Sequence, residues 1–125
     1  MEKDQVISKI LVVDDSEPER VNLQSIVSEA GYKVLTAQSG KEAVQKAKSD
    51  RPDLIFLDII MDEMDGYATC RSISRDEDTK DIPVVMVSSK SQKADKMWAA
   101  HQGARGYVTK PYTQDQILEQ LRRYL

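Results

Sequence analysis

The chain has 125 residues, 40% of them hydrophobic, and a formal net charge of −3, which fits one domain with one core and gives no attraction toward a nucleic-acid backbone. No apolar run approaches the roughly 20 residues of a membrane span, and the opening MEKDQVISKI lacks the layout of a secretory signal. Its single cysteine, Cys70, excludes an internal disulfide, so a cytoplasmic location with no membrane insertion is expected.

In chain order, Ile10-Leu11-Val12-Val13 is the first short, continuously apolar run. Such runs suit strands buried on both faces, as in a parallel sheet. Ser16 and Glu19 have the spacing of a capping box, and Leu23, Ile26, Val27 and Ala30 fall on one helical face. Gly31 marks the helix stop. Val34-Leu35 predicts a weaker, edge strand, and Ser39 with Glu42 a second capping box. Leu54-Ile55-Phe56-Leu57 and Val84-Val85-Met86-Val87 predict two more buried strands, the latter entered through Pro83. Between them, the charged run from Arg75 to Asp81 reads as a solvated loop. Gly103 marks another helix stop, Tyr107-Val108 a second edge strand, and Thr113 with Gln116 a third capping box. The last helix presents Ile117, Leu118, Leu121, Tyr124 and Leu125 on one face. About five strand–helix units imply a parallel α/β sheet with right-handed crossovers.

Three acids stand out by position. Asp14 and Asp15 follow the first buried strand directly, and Asp58 follows the third predicted strand. Parallel strands bring all three to one sheet edge, where open α/β sheets bind ligands. If the two strands are neighbours, their ends lie about 4.8 Å apart. A single such Asp, or Ser16 beside it, could simply cap the next helix. Three together repel unless a positive charge sits among them, and magnesium, a hard cation that keeps several waters, answers that need. A carboxylate beside such an ion can act as a covalent nucleophile toward phosphorus. Ser88 and Lys110 end the strands that follow, on the same edge. Lys110 would start roughly 10 Å from Asp58 and reach a phosphoryl oxygen midway, with Ser88 donating from the nearer strand. Alone, Ser88 reads as a cap and Lys110 as a solvated lysine.

Val13-Asp14-Asp15-Ser16, Leu57-Asp58, Ser88 and Lys110-Pro111, in that order and spacing, resemble the receiver domain of two-component response regulators, the CheY-like family. The resemblance spans essentially the whole chain. It implies a flavodoxin-like, doubly wound five-stranded parallel sheet of order 2-1-3-4-5 flanked by five helices. It implies a receiver over residues 9–125, a short extension over 1–8, and no output domain. By the same resemblance, Asp58 accepts a phosphoryl group from a histidine kinase. Mg2+, with Mn2+ as a substitute, sits on Asp15, on Asp14 directly or through water, on Asp58 and on the backbone carbonyl of Ile60. Lys110 pairs with the phosphoryl oxygens, and its bond to Pro111 is often cis in that family. Ser88 moves to the phosphoryl group, and Tyr107 turns inward to fill the space left. The only chemistry expected is transfer to Asp58 and self-dephosphorylation, with no turnover as an enzyme.

Asp62 departs from the family, where proline is common, which bears on the shape of that turn and on the Ile60 carbonyl. Asp62, Glu63 and Asp65 either add attraction for magnesium or are solvated loop acids. Ile60 and Lys90 occupy positions flanking the phosphoryl group, and apolar Ile60 is expected to hinder the hydrolytic water. The segments Asp65–Cys70, Ser88-Ser89-Lys90 and Asp95–Ala104 resemble single-domain regulators of type IV pilus (twitching) motility and phototaxis. The expected product is a monomer or weak dimer that signals to a protein target through the face from Ser88 to Leu125, or a phosphate sink for a shared kinase.

Other readings weigh less. An aspartyl-phosphate phosphatase of the haloacid-dehalogenase type needs two aspartates separated by one residue after the first strand, and a cap. A flavodoxin-like cofactor binder needs hydroxyls and amides where Asp14-Asp15-Ser16-Glu17 presents acids. His101, on a predicted helix, lacks neighbours for a metal. Cys70 reads as a small buried residue, Trp98 mainly as packing with a part free for a partner, and the methionines as gap-fillers.

Overall fold

The computed structural model describes residues 7–125. The extension expected over residues 1–8 therefore lies, for residues 1–6, outside the described residues. Five strands alternate with five helices: β1 (Lys9–Val13), α1 (Glu17–Glu29), β2 (Lys33–Ala37), α2 (Gly40–Asp50), β3 (Leu54–Leu57), α3 (Gly66–Arg75), β4 (Val84–Ser88), α4 (Lys93–His101), β5 (Gly106–Thr109) and α5 (Gln114–Tyr124). All strand pairs are parallel and the sheet order is β2-β1-β3-β4-β5. This is the fold class and strand order expected, with the two weaker apolar runs at the edges.

The continuous apolar runs follow from a sheet covered on both faces. Successive side chains of a strand point to opposite sides, and here each side has its own core. Leu11, Val13, Ile55, Leu57 and Met86 pack with Ala43, Ala47, Cys70, Ile73 and Ala99 from α2, α3 and α4. Ile10, Val12, Leu54, Phe56, Val85 and Val87 pack with Leu23, Val27, Ile117 and Leu121 from α1 and α5. Each fully buried Leu, Ile or Phe stabilises the fold by roughly 1.5–3 kcal/mol, so β1 and β3 are held firmly on two sides.

The helix signals mostly hold. Gly31 (φ 101°) and Gly103 (φ 109°) follow the ends of α1 and α4 in the left-handed region that glycine enters freely. Thr113 and Gln116 form the full reciprocal box. Ser39 caps α2 through the Glu42 amide, while the Glu42 carboxylate reaches one residue further back, to the Gln38 amide. Ser16 is the N-cap of α1, yet its side chain makes no capping bond, so the capping box expected with Glu19 does not form. Ala30 is exposed at the C-cap rather than packed, and Leu125 is half exposed beyond α5.

The charged run after α3 forms turns, but Thr79 within it is buried and its hydroxyl donates to the Ile73 carbonyl at 2.7 Å, closing the end of the helix. Cys70 is fully buried. Trp98 packs with only about half of its surface. It is 49% exposed, beside Met97 at 62%, so Met97 fills no gap. His101 is exposed on α4 and stacks on Trp98, ring centroids 5.4 Å apart.

Gly66 opens α3 directly against the end of β3. Its amide donates to the Ile59 carbonyl at 2.8 Å, and a Cβ there would meet the Asp58 carbonyl oxygen at 2.2 Å and the Ile59 Cα at 2.6 Å. Backbone cannot yield as a flexible side chain can, so Gly66→Ala is expected to destabilise the protein by about 1–3 kcal/mol, as overpacking does. Urea unfolding measures this, and an unchanged midpoint would contradict the close approach.

Candidate functional site

Val13 and Leu57 are register partners on β1 and β3, so Asp14 and Asp58 leave adjacent strands at the same level. The ladder continues one step past the strands: the Asp58 amide donates to the Val13 carbonyl at 3.0 Å, and the Asp14 amide to Ala37 at 3.2 Å. Asp14 and Asp58 are buried and Asp15 is exposed. Each offers a carboxylate oxygen, and these oxygens all lie within 4.8 Å of one another. Among the described residues this is the one group of His, Cys, Asp or Glu with such spacing.

Helix capping does not account for the trio. Ser16, not Asp15, occupies the N-cap, and Asp14 Oδ1 accepts the Ser16 amide at 2.9 Å. Two carboxylate charges about 4 Å apart near a protein surface repel by roughly 4 kcal/mol. The positive charge that meets them is Lys110, positioned by the hydrogen bond that its backbone amide donates to the Ser88 carbonyl at 2.9 Å. Its ammonium lies 3.1 Å from Asp14 Oδ2 and 3.6 Å from Asp58 Oδ1 and also pairs with Glu19. One ammonium thus faces three carboxylates. Burial opposes the Lys110 charge, but Glu19, Asp58 and Asp14 outweigh it and hold its pKa above the usual lysine value. The Lys110–Pro111 peptide is cis, as the resemblance implies.

The trio opens on a cleft of about 630 Å³, lined also by Pro18, Glu19, Ile60, Ser89 and Tyr112. Oxygen-only donors, excess negative charge and an open side suit a small hard divalent cation. Glu19 and Arg20 were missed by sequence reasoning. Arg20 donates to the Asp14 carbonyl at 2.9 Å and pins the loop after β1. Glu19 has the spacing of a capping residue. Only the third dimension shows it turned to Lys110.

Ser88 is fully buried at the end of β4. Its oxygen accepts the Lys90 amide at 3.2 Å, while the Tyr107 hydroxyl donates to the Lys90 carbonyl at 2.6 Å. The amide and the carbonyl of one residue, Lys90, are therefore tied to the two residues expected to switch. Burial pushes the Tyr107 phenol up to about 12, so it remains a donor at neutral pH. Ile60 is 55% exposed on the wall of the cleft. Without proline at Asp62, the β3–α3 loop turns through Glu63, at φ 62°, a strained left-handed residue costing about 1–3 kcal/mol. Asp65 is no free loop acid: it caps α3 by accepting the Ala68 amide at 2.9 Å. Asp62 and Glu63 are exposed. His101, Cys70 and Trp98 do not line the cleft.

The sequence model of the response regulator receiver domain matches residues 10–122. This chain belongs to that family. It is 36% identical to Protein PilH of Pseudomonas aeruginosa over 119 residues, 95% of this chain and 98% of that protein. Chemotaxis protein CheY4 of Vibrio cholerae has the same fold at TM-score 0.91 and 32% identity, covering 96% of this chain and 100% of that one. The receiver domain of a sensor histidine kinase from Pseudomonas aeruginosa, at TM-score 0.88 and 24% identity over 95% of this chain and 98% of that one, has a magnesium ion coordinated in its active-site cleft. The protein is thus a two-component response-regulator receiver, and receivers act as signalling proteins.

Burial raises the Asp58 carboxyl of this receiver to about 6, with Lys110 opposing and Asp14 adding to the shift. The folded protein therefore holds that proton more tightly than the unfolded chain, in which the group titrates near 3.8. The resulting stabilisation is complete below pH 3.8 and lost as pH rises through about 6. Metal-free Asp58→Asn is expected to exceed the wild type in stability by about 2–3 kcal/mol at pH 7, with the gap closing toward pH 4. Chemical denaturation across that range measures the difference, and a gap independent of pH would refute it.

Proposed function

We propose that this receiver accepts a phosphoryl group on Asp58 from the phosphohistidine of a histidine kinase, with Mg2+ bound, and passes the signal to a protein target. The observation that carries this reading is the convergence of Asp14, Asp15 and Asp58 within 4.8 Å, with the Lys110 ammonium beside them. Asp14, Asp15, Asp58 and the Ile60 carbonyl would hold the metal, with Mn2+ as a substitute. A divalent ion held by these residues would offset the charge of the trio and of the transferred group.

A carboxylate oxygen of Asp58 attacks phosphorus as the bond to the imidazole nitrogen breaks, and the imidazole leaves with that electron pair. Lys110 pairs with a phosphoryl oxygen. The Ser88 hydroxyl, whose oxygen now serves the Lys90 amide, keeps a proton to donate to another. Its departure frees the Lys90 amide while Tyr107 still holds the Lys90 carbonyl, which links the new charge to the β4–α4 loop. Water later returns the carboxylate, so the chain is modified and restored rather than turning over a separate substrate.

The output face runs from Ser88 to Leu125. Exposed Met97 and Trp98 on α4 support signalling to a protein partner over a phosphate sink. Similarity to Protein PilH over nearly the full length of both chains, with similarity to a chemotaxis protein, supports a place in pilus-based motility or chemotaxis, in the cytoplasm.

Incubation with acetyl phosphate or beryllofluoride is expected to shift the amide resonances of the β4–α4 loop only when Mg2+ is present. The Asp58→Ala protein should give no response. A response without metal, or in Asp58→Ala, would end this reading. Ile60, on the cleft wall and half exposed, shields the phosphoryl group from water. Ile60→Asn should therefore speed dephosphorylation severalfold, and an unchanged or slower loss of phosphate would refute that role.

A further inference from the structure

The strongest unassigned feature is the ion pair between Glu19 and Lys110. Glu19 stands three residues into α1 from Ser16, where a capping box would turn its carboxylate back onto the Ser16 amide. Asp14 Oδ1 already holds that amide at 2.9 Å, and Ser16 makes no side-chain cap. Glu19 is left free to reach across the cleft.

An ammonium has three donors. Here Glu19 and Asp14 are in hydrogen-bonding contact, and Asp58 Oδ1, at 3.6 Å, stands outside it. The lysine thus leans away from the residue whose phosphoryl group it must meet. The three acids also differ in how readily they can give it up. The Asp14 and Asp58 side chains are only 7% and 9% exposed, whereas that of Glu19 is 50% exposed. A buried carboxylate released from its partner is left poorly solvated, but Glu19 would simply be rehydrated.

From this geometry we infer that Glu19 is a positioning residue that competes with the phosphoryl group for the Lys110 ammonium, restraining the switch until the group is in place. The inference rests on the site reading above. At rest, Glu19 keeps Lys110 at the mouth of the cleft. When a phosphoryl oxygen on Asp58 captures the ammonium, Glu19 returns to water. Occupancy of the phosphoryl position is therefore weaker than Lys110 alone would make it, by the strength of an exposed pair.

The test is the affinity for beryllofluoride at saturating Mg2+, followed by amide resonances of the β4–α4 loop, for wild type, Glu19→Gln and Glu17→Gln. Glu17 carries the same charge in the same first turn of α1 but does not line the cleft. Glu19→Gln should bind roughly two- to five-fold more tightly, and Glu17→Gln as the wild type does. Both positions are exposed, and matching amide spectra without ligand would establish that the fold is intact. An unchanged or weaker affinity in Glu19→Gln overturns the inference. An equal gain in Glu17→Gln also overturns it, since general charge removal rather than contact with Lys110 would then be the cause. Wild type that fails to bind beryllofluoride with Mg2+ would instead overturn the reading of the site itself.

Discussion

The repulsion among Asp14, Asp15 and Asp58 is the constraint on which the rest of this receiver depends. Three acids share a space in which each charge opposes the others, and one lysine shared with Glu19 offsets only part of that repulsion. They stay together because β1 and β3 are clamped between two cores and joined in register to their last residues. The energy of those cores holds the acids in place. An empty cleft is thus a stressed one, and any cation or added group that relieves the stress acts on a structure already poised to respond.

The response has a short route outward. Lys110 hangs from the Ser88 carbonyl, Ser88 accepts the Lys90 amide, and Tyr107 grips the Lys90 carbonyl. Four residues, on two adjacent strands and the loops that follow them, form a continuous set of polar contacts from the acids toward α4. Each contact is worth about a kcal/mol, small enough to exchange when new charge arrives. Tyr107 also lies under the Lys96 ammonium, 5.8 Å from the ring centroid, so its orientation is coupled to α4 as well as to the loop.

Much of the fold was legible in particular residues. The runs ending at Val13, Leu57 and Val87 had to be strands covered on both faces, because no alternation breaks them. The helices α2, α3 and α4 were harder to read from apolar spacing. Their buried faces include Gly40, Ala43, Ala47, Gly66, Thr69, Cys70 and Ala99, small or weakly polar residues chosen for close approach to the sheet rather than for hydrophobic mass. Thr79 and Trp98 depart from composition in opposite directions, one buried in a charged run and the other an aromatic left half exposed. Composition signals burial only on average.

By itself the sequence determined the alternation of strands and helices and the acids at the ends of two buried strands. It also determined the lysine and serine at the ends of two more. Backbone polarity forces those positions, since side chains just beyond parallel strands must share one edge. Which partner each charge chose was decided only by tertiary structure. Glu19 turned from capping to Lys110, Asp14 took the Ser16 amide, and Asp65 became a cap. Such choices compare contacts of nearly equal energy between residues distant along the chain, and local spacing carries no information about which is nearer in space.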